Sequence, residues 1–207
     1  MVCYFSPSIA KNIHELLEFE AMNEVEKNLW KRKFMRFLKM LTVQQHKPLV
    51  LKSPTHGYRI KSLIGLFPDA RFVLIERDPY DIFASNLIMW NALMTEFSHE
   101  EFNEDSIEQF IIDSFSLHEK LISEAQENIP SKQFTRIKYA DLVTNPLHEI
   151  EGIYTNLELG FISTKLKENI EQYLRKVENY QCNILEITTR QRVLIETQWT
   201  DILSRYR

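Results

Sequence analysis

LVLKSPTHGYRIKSLIGLFPDARFVLIERDPYDIFASN, residues 49–86, is the stretch from which the fold can be read. Two short apolar runs, 48–51 and 72–75, are closed by the cations Lys52 and Arg77, and each is followed by turn chemistry and then a helical pattern. The order is strand, loop, helix, strand, loop, helix. Short continuous apolar runs alternating with helices fit a parallel sheet buried on both faces, so the expected class is α/β with the sheet flanked by helices. In such folds the residues just past the carboxyl ends of the strands line the ligand crevice. Lys52 and Arg77 are therefore expected to face one site, and two cations there suit an anionic ligand.

The junction after the second strand carries more detail. Asp78 is a good helix cap, Pro79 suits the first helical position, and Asp81 adds a carboxylate to the first turn. From Asp78 to Ser85 is about two helical turns, which brings Ser85 to the face of the helix mouth. Arg77 and Ser85 can then hold an anion between them, or Arg77 can pair with Asp78 or Asp81 and Ser85 can be a small packing residue. Lys52 at the end of a buried strand is a costly charge unless an anion meets it. His56 offers either a general base near neutral pH or a residue that packs the following helix.

Outward from this stretch, residues 8–45 read as two helices forming a cap region over 1–47, with Ile9, Ile13, Leu16 and Leu17 inward on one and Leu29, Trp30, Phe34, Phe37, Leu38 and Leu41 inward on the other. The cations Lys31, Arg32, Lys33, Arg36 and Lys39 are expected on the opposite, solvated side. Helices are expected over 58–67, 105–128, 146–157, 164–177 and 191–206, a third strand over 131–139 and a loop over 140–145. No repeat, low-complexity tract or linker interrupts 48–207, so one domain over 1–207 is expected.

Composition excludes several classes. The 25 Lys+Arg and 29 Asp+Glu leave a formal charge of -4, giving no global basic field for nucleic acid or an anionic membrane. Cys3 and Cys182 are too few for a disulfide framework, and no stretch reaches the ~18 apolar residues of a membrane span, so a soluble, cytoplasmic chain is expected. His14, His46, His56, His99, His118 and His148 show no metal-ligand spacing, so no metal is expected. The pairs Glu100/Glu101 and Glu149/Glu151 sit in polar contexts and read as solvated faces. The four glycines, at 57, 65, 152 and 160, frame no phosphate-cradling loop, which counts against a nucleoside-triphosphate phosphotransferase.

The quoted stretch, with YADLVTNPLHEIEGIYTNLEL at 139–159, resembles the core of sulfotransferases that use 3'-phosphoadenosine 5'-phosphosulfate, in the branch with a KSP signature. Tyr180, Asn183 and residues 199–206 echo the family's closing segment more weakly, with Cys182 where the family has a basic residue. The resemblance implies a P-loop-containing nucleotide hydrolase-like fold, a nucleotide co-substrate and no metal. It implies that Arg77 and Ser85 bind the donor's 3'-phosphate, that Tyr139 lies near the adenosine, that Lys52 meets the sulfuryl oxygens or the bridging oxygen, and that His56 stands where some relatives place a base. The acceptor would be a small molecule, carbohydrate or lipid bearing a hydroxyl or amine, and nucleic acid is not expected. Members of the family begin with a strand and an RSGTT-like loop that grips the 5'-phosphosulfate. The Ser6-Pro7-Ser8 stretch does not replace that loop. The fold is thus expected to be N-terminally incomplete, the chain a truncated or inactive form, and the missing segment a possible second chain. A non-catalytic nucleotide-binding remnant or protein-interaction module is the alternative.

Overall fold

The computed structural model describes residues 17, 19–45, 47–97, 103–179 and 185–206. Cys3, His14, His46, His99, Glu100, Glu101, Tyr180, Cys182 and Asn183 lie outside the described residues, as do Ser6-Pro7-Ser8 and residues 9–16 of the two helices expected over 8–45.

Helix starts follow their capping chemistry. Helix α1, Glu24–Gln45, opens on a reciprocal box in which the Glu26 N–H donates to Asn23 Oδ1 at 3.0 Å and the Asn23 N–H donates to Glu26 Oε2 at 3.2 Å. A 3₁₀ segment, Pro54–Arg59, is capped by Ser53, whose Oγ accepts from the Thr55 N–H, and runs into α2, Ile60–Leu66. Strand β1, Phe72–Glu76, leads into α3, Pro79–Phe97. There Asp78 Oδ1 accepts from the Tyr80 N–H at 2.8 Å, as a cap must. Asn103 caps α4, Glu104–Gln126, and strand β2, Phe134–Lys138, follows. Next come α5, Tyr139–Thr144, α6, Pro146–Asn156, and α7, Thr164–Val177. Gly160, at φ +90°, adopts the left-handed backbone that lets the chain turn between the last two. Helices α8, Thr189–Gln198, and α9, Thr200–Tyr206, finish the described chain.

Strands β1 and β2 pair in parallel, with Phe72 opposite Phe134 and Glu76 opposite Lys138. This is the α/β arrangement expected, a parallel sheet with helices against it, but it is not buried on both faces, since Val73 and Ile75 of β1 are 42% and 51% exposed. Several expectations need correction. Residues 48–52 form no strand: no described residue pairs with them, and Val50 is 96% exposed, so the apolar run has no core to enter. Lys52 is accordingly exposed and does not close a buried strand. Residues 140–144 are helical, not a loop. The final helix is two, broken at Trp199. Finally, Leu29 and Phe37 do not share the inner face of α1. That face is made by Trp30, Phe34, Leu38 and Leu41, with the Trp30 and Phe34 rings stacked at 4.8 Å.

Two apolar clusters hold these elements. One joins Phe83 and Met94 of α3, Ile107, Phe110, Ile111 and Ile112 of α4, and Ile195, Trp199, Ile202 and Leu203 of the carboxyl-terminal helices. The other sets Ile60, Ile122, Ala125 and Ile129 beneath Phe134 of β2, with Phe72 and Leu74 of β1 packed on it. Helix α4 runs through both. It is thus the member that fixes the sheet relative to the helix carrying Ser85.

Candidate functional site

Register builds the first part of the site. Because Glu76 and Lys138 are paired neighbours in parallel strands, the residues that follow them, Arg77 and Tyr139, emerge side by side at the carboxyl edge. The Arg77 guanidinium lies over the Tyr139 ring, 5.3 Å from its centroid, a cation–π contact. Its Nε donates to Asp81 Oδ2 at 3.4 Å. Asp81 and Ser85 are four residues apart on α3, hence on one face of that helix. Ser85 is half-buried there. The two alternatives for Arg77 are therefore compatible: the ion pair uses Nε, and neither Nη atom has a hydrogen-bond or ion-pair partner among the described residues. A guanidinium held on one edge by a carboxylate and on its face by a ring presents its remaining N–H fork in a set direction, which is the geometry suited to bidentate phosphate.

The second part, 52–59, is carried by the 3₁₀ segment. Lys52 is exposed and makes no ion pair among the described residues. His56 is half-buried, with its ring edge-on to Phe34 at 6.2 Å and its Nδ1 without a hydrogen-bond partner. Burial, aided by the Arg59 charge, lowers its pKa below the ordinary histidine value. The imidazole is thus neutral at pH 7, the form that accepts a proton. No described hydrogen bond or ion pair links Lys52 or His56 to Arg77 or Ser85.

This segment is anchored to α4. The Tyr58 hydroxyl donates to the Ser114 carbonyl at 3.0 Å, and burial pushes the Tyr58 pKa well above that of a free phenol. The His118 ring, stacked near Phe115 and edge-on to Tyr58, lies against Gly57. A Cβ at Gly57 would come within 2.2 Å of His118 Nε2. Gly57→Ala is therefore expected to cost about 2 kcal/mol, since overpacking here must displace a ring held on two sides. On a His118→Ala background the same change should cost less than about 0.5 kcal/mol. Urea melts of the four proteins check this, and strictly additive costs would disprove the steric account.

Sequence reasoning missed a neighbouring open cleft of ≈ 490 Å³, lined by Asp78, Tyr80, Asp81, Leu185, Glu186, Ile187 and Arg192. Arg192 lies over the Tyr80 ring at 4.8 Å, while the Tyr80 hydroxyl donates to Glu196 at 3.1 Å. No local signal could reveal it, because its walls are joined across more than a hundred residues. Among the described residues there is no cluster of side chains that could hold a metal ion, and no helix is long and apolar enough to cross a membrane. Of the four carboxylates expected to be solvated, Glu151 pairs with Lys167 of α7 in a partly exposed contact.

Comparison with known proteins agrees with this architecture. A family model described as the sulfotransferase family matches residues 8–163. The chain is 30% identical, over 201 residues, to the omega-hydroxy-beta-dihydromenaquinone-9 sulfotransferases Stf3 of Mycobacterium tuberculosis and Mycobacterium bovis. That match takes in 97% of this chain and 51% of each relative, so the chain spans about half the length of the curated relatives it matches. The crystal structure of sulfotransferase STF9 from Mycobacterium avium superposes with a TM-score of 0.75 at 18% identity, over 90% of this chain and 48% of that one. The sulfotransferase domain from the curacin biosynthetic pathway gives a TM-score of 0.52 at 15% identity, over 92% of this chain and 65% of that one. The chain belongs to the sulfotransferase family.

Proposed function

We propose that this chain supplies the 3'-phosphate-binding and acceptor-activating part of a sulfotransferase that uses 3'-phosphoadenosine 5'-phosphosulfate. The observation that carries the proposal is the Arg77 guanidinium, held by Asp81 and Tyr139 with no hydrogen-bond or ion-pair partner for its Nη atoms among the described residues, and with Ser85 on the same helix face as Asp81. In this reading Arg77 and Ser85 bind the 3'-phosphate and Tyr139 flanks the adenosine.

Sulfuryl transfer is an in-line displacement. The acceptor oxygen forms a bond to sulfur as the bond from sulfur to the nucleotide's bridging oxygen breaks, and 3',5'-ADP departs. Charge builds on the leaving oxygen, where a fixed cation lowers the barrier most. Lys52 is assigned to that oxygen. Neutral His56 is assigned to take the acceptor's proton, a role that its lowered pKa supports. The relatives from Mycobacterium are named for a hydroxylated menaquinone. By analogy the acceptor class proposed here is the hydroxyl of an apolar small molecule.

The 207-residue polypeptide contains no glycine before Gly57 and no RSGTT-like loop. Alone it is expected to bind 3',5'-ADP without measurable turnover. Titration with 3',5'-ADP should give a thermal shift that Arg77→Ala abolishes and Arg77→Lys only partly restores, because an ammonium cannot reproduce the bidentate fork. No shift at millimolar ligand would overturn the proposal.

A second reading, an interaction module, has one observation in its favour. Val73 and Ile75 of β1 stay exposed although their strand neighbours are packed on the core. Pull-down of an added polypeptide that leaves the 3',5'-ADP response absent would favour it.

A further inference from the structure

Helix α1 presents a second apolar surface on the side away from the core. Val25, Leu29, Phe37, Met40 and Val43 are 43–77% exposed. At 100° per residue they fall within one third of the helix circumference. The exposed cations Lys33 and Arg36 lie between them, and Arg32 and Lys39 lie along one border. No Asp or Glu occurs from 27 to 45. None of the four cations makes an ion pair among the described residues. The adjoining inner face is fixed, with Phe19 edge-on to Trp30 at 4.7 Å and Arg59 over Trp30 at 5.0 Å. The outer face is therefore displayed by a helix that cannot roll to bury it.

We propose that this face of α1 docks on an anionic lipid bilayer, with Val25, Leu29, Phe37, Met40 and Val43 in the acyl boundary and Arg32, Lys33, Arg36 and Lys39 on the headgroups. Charge complementarity selects the partner. The chain's net charge is -4, yet this helix is uniformly basic past Glu26. A fluid surface also takes an exposed helix face without a preformed counterpart. Interleaving agrees too, because long basic side chains rise to the headgroups while their stems and the apolar residues sink. The inference stands on exposure and charge and does not depend on the nucleotide reading.

Flotation of the 207-residue chain with vesicles tests it. Binding to phosphatidylcholine vesicles carrying about 30% phosphatidylglycerol should exceed binding to neutral vesicles at least about tenfold and should fall in high salt. Phe37→Glu/Met40→Glu, and separately Arg32→Gln/Lys33→Gln/Arg36→Gln/Lys39→Gln, should each remove most of it, with far-UV circular dichroism unchanged because all six positions are exposed. Failure to float on either vesicle would overturn the proposal, as would flotation that both variants leave intact. A self-association that Phe37→Glu/Met40→Glu dissolves, or retention by polyglutamate or RNA without vesicle binding, would overturn it in favour of those occupants.

Discussion

Trp199→Ala is expected to lower folding stability by about 4 kcal/mol, the upper part of the range for large-to-small core changes. Trp199 is fully buried at the break between α8 and α9. Its ring meets Phe83 of α3 edge-on at 6.1 Å and Phe115 of α4 at 4.8 Å. Its Nε1–H donates to both the Ile112 carbonyl and Ser116 Oγ, each at 3.1 Å. Truncation would open a cavity where three elements meet and remove the donor that ties the carboxyl-terminal helices to α4. Since domains are stable by only about 5–15 kcal/mol, the variant would lose a large share of its margin. Trp199→Phe keeps most of the volume and loses the donor, so its cost should be nearer 1–2 kcal/mol. Urea midpoints at constant m-value check both. A Trp199→Ala cost below about 1 kcal/mol would show that the site collapses around the missing ring.

The second large effect is expected at Arg190→Ala. Glu108 of α4 is buried, and Arg190 Nη2 donates to both its oxygens at 2.7 Å while Gln191 Nε2 donates to Oε1 at 2.8 Å. Gln191 also closes the capping box with Thr188 that starts α8. Removing the arginine strands a buried carboxylate, and breaking such a pair from one side costs about 3 kcal/mol. Because Arg190 is itself largely exposed, its own desolvation contributes little and the penalty resides in Glu108. Arg190→Ala/Glu108→Leu should therefore recover most of the loss, as replacing a buried ion by an apolar residue is near neutral. Chemical denaturation of the two variants distinguishes this from simple loss of a surface contact, for which the second substitution would add a further cost.

These contacts mark where sequence reading runs out. Capping signals operate within about four residues, so Asp78 with Pro79 located the start of α3 and Gly160 the turn before α7. In-register parallel pairing then made Arg77 and Tyr139 neighbours, as two residues that each follow a strand must be. The strand expected over 48–52 was different, because a strand exists only through hydrogen bonds to another segment, and Val50 shows that none of the described residues supplies one. Likewise α1 contains apolar residues around most of its circumference. Periodicity alone could not tell which stripe faces the core, and Leu29 and Phe37 proved to belong to the outer one. Net charge hid the same surface, since a total of -4 averages over a helix that is locally basic.

By itself, then, the order of residues determined the α/β class, the starts of α3, α6 and α7 and the emergence of Arg77 from a strand end, because each depends on backbone preferences and polar groups only a few positions apart. Tertiary structure alone decided that Arg77 is steered by Asp81 and Tyr139, that Gly57 must admit the His118 ring, that Trp199 joins three helical elements, and that the second apolar face of α1 points to solvent. Those outcomes depend on burial, and burial is set by segments tens of residues away.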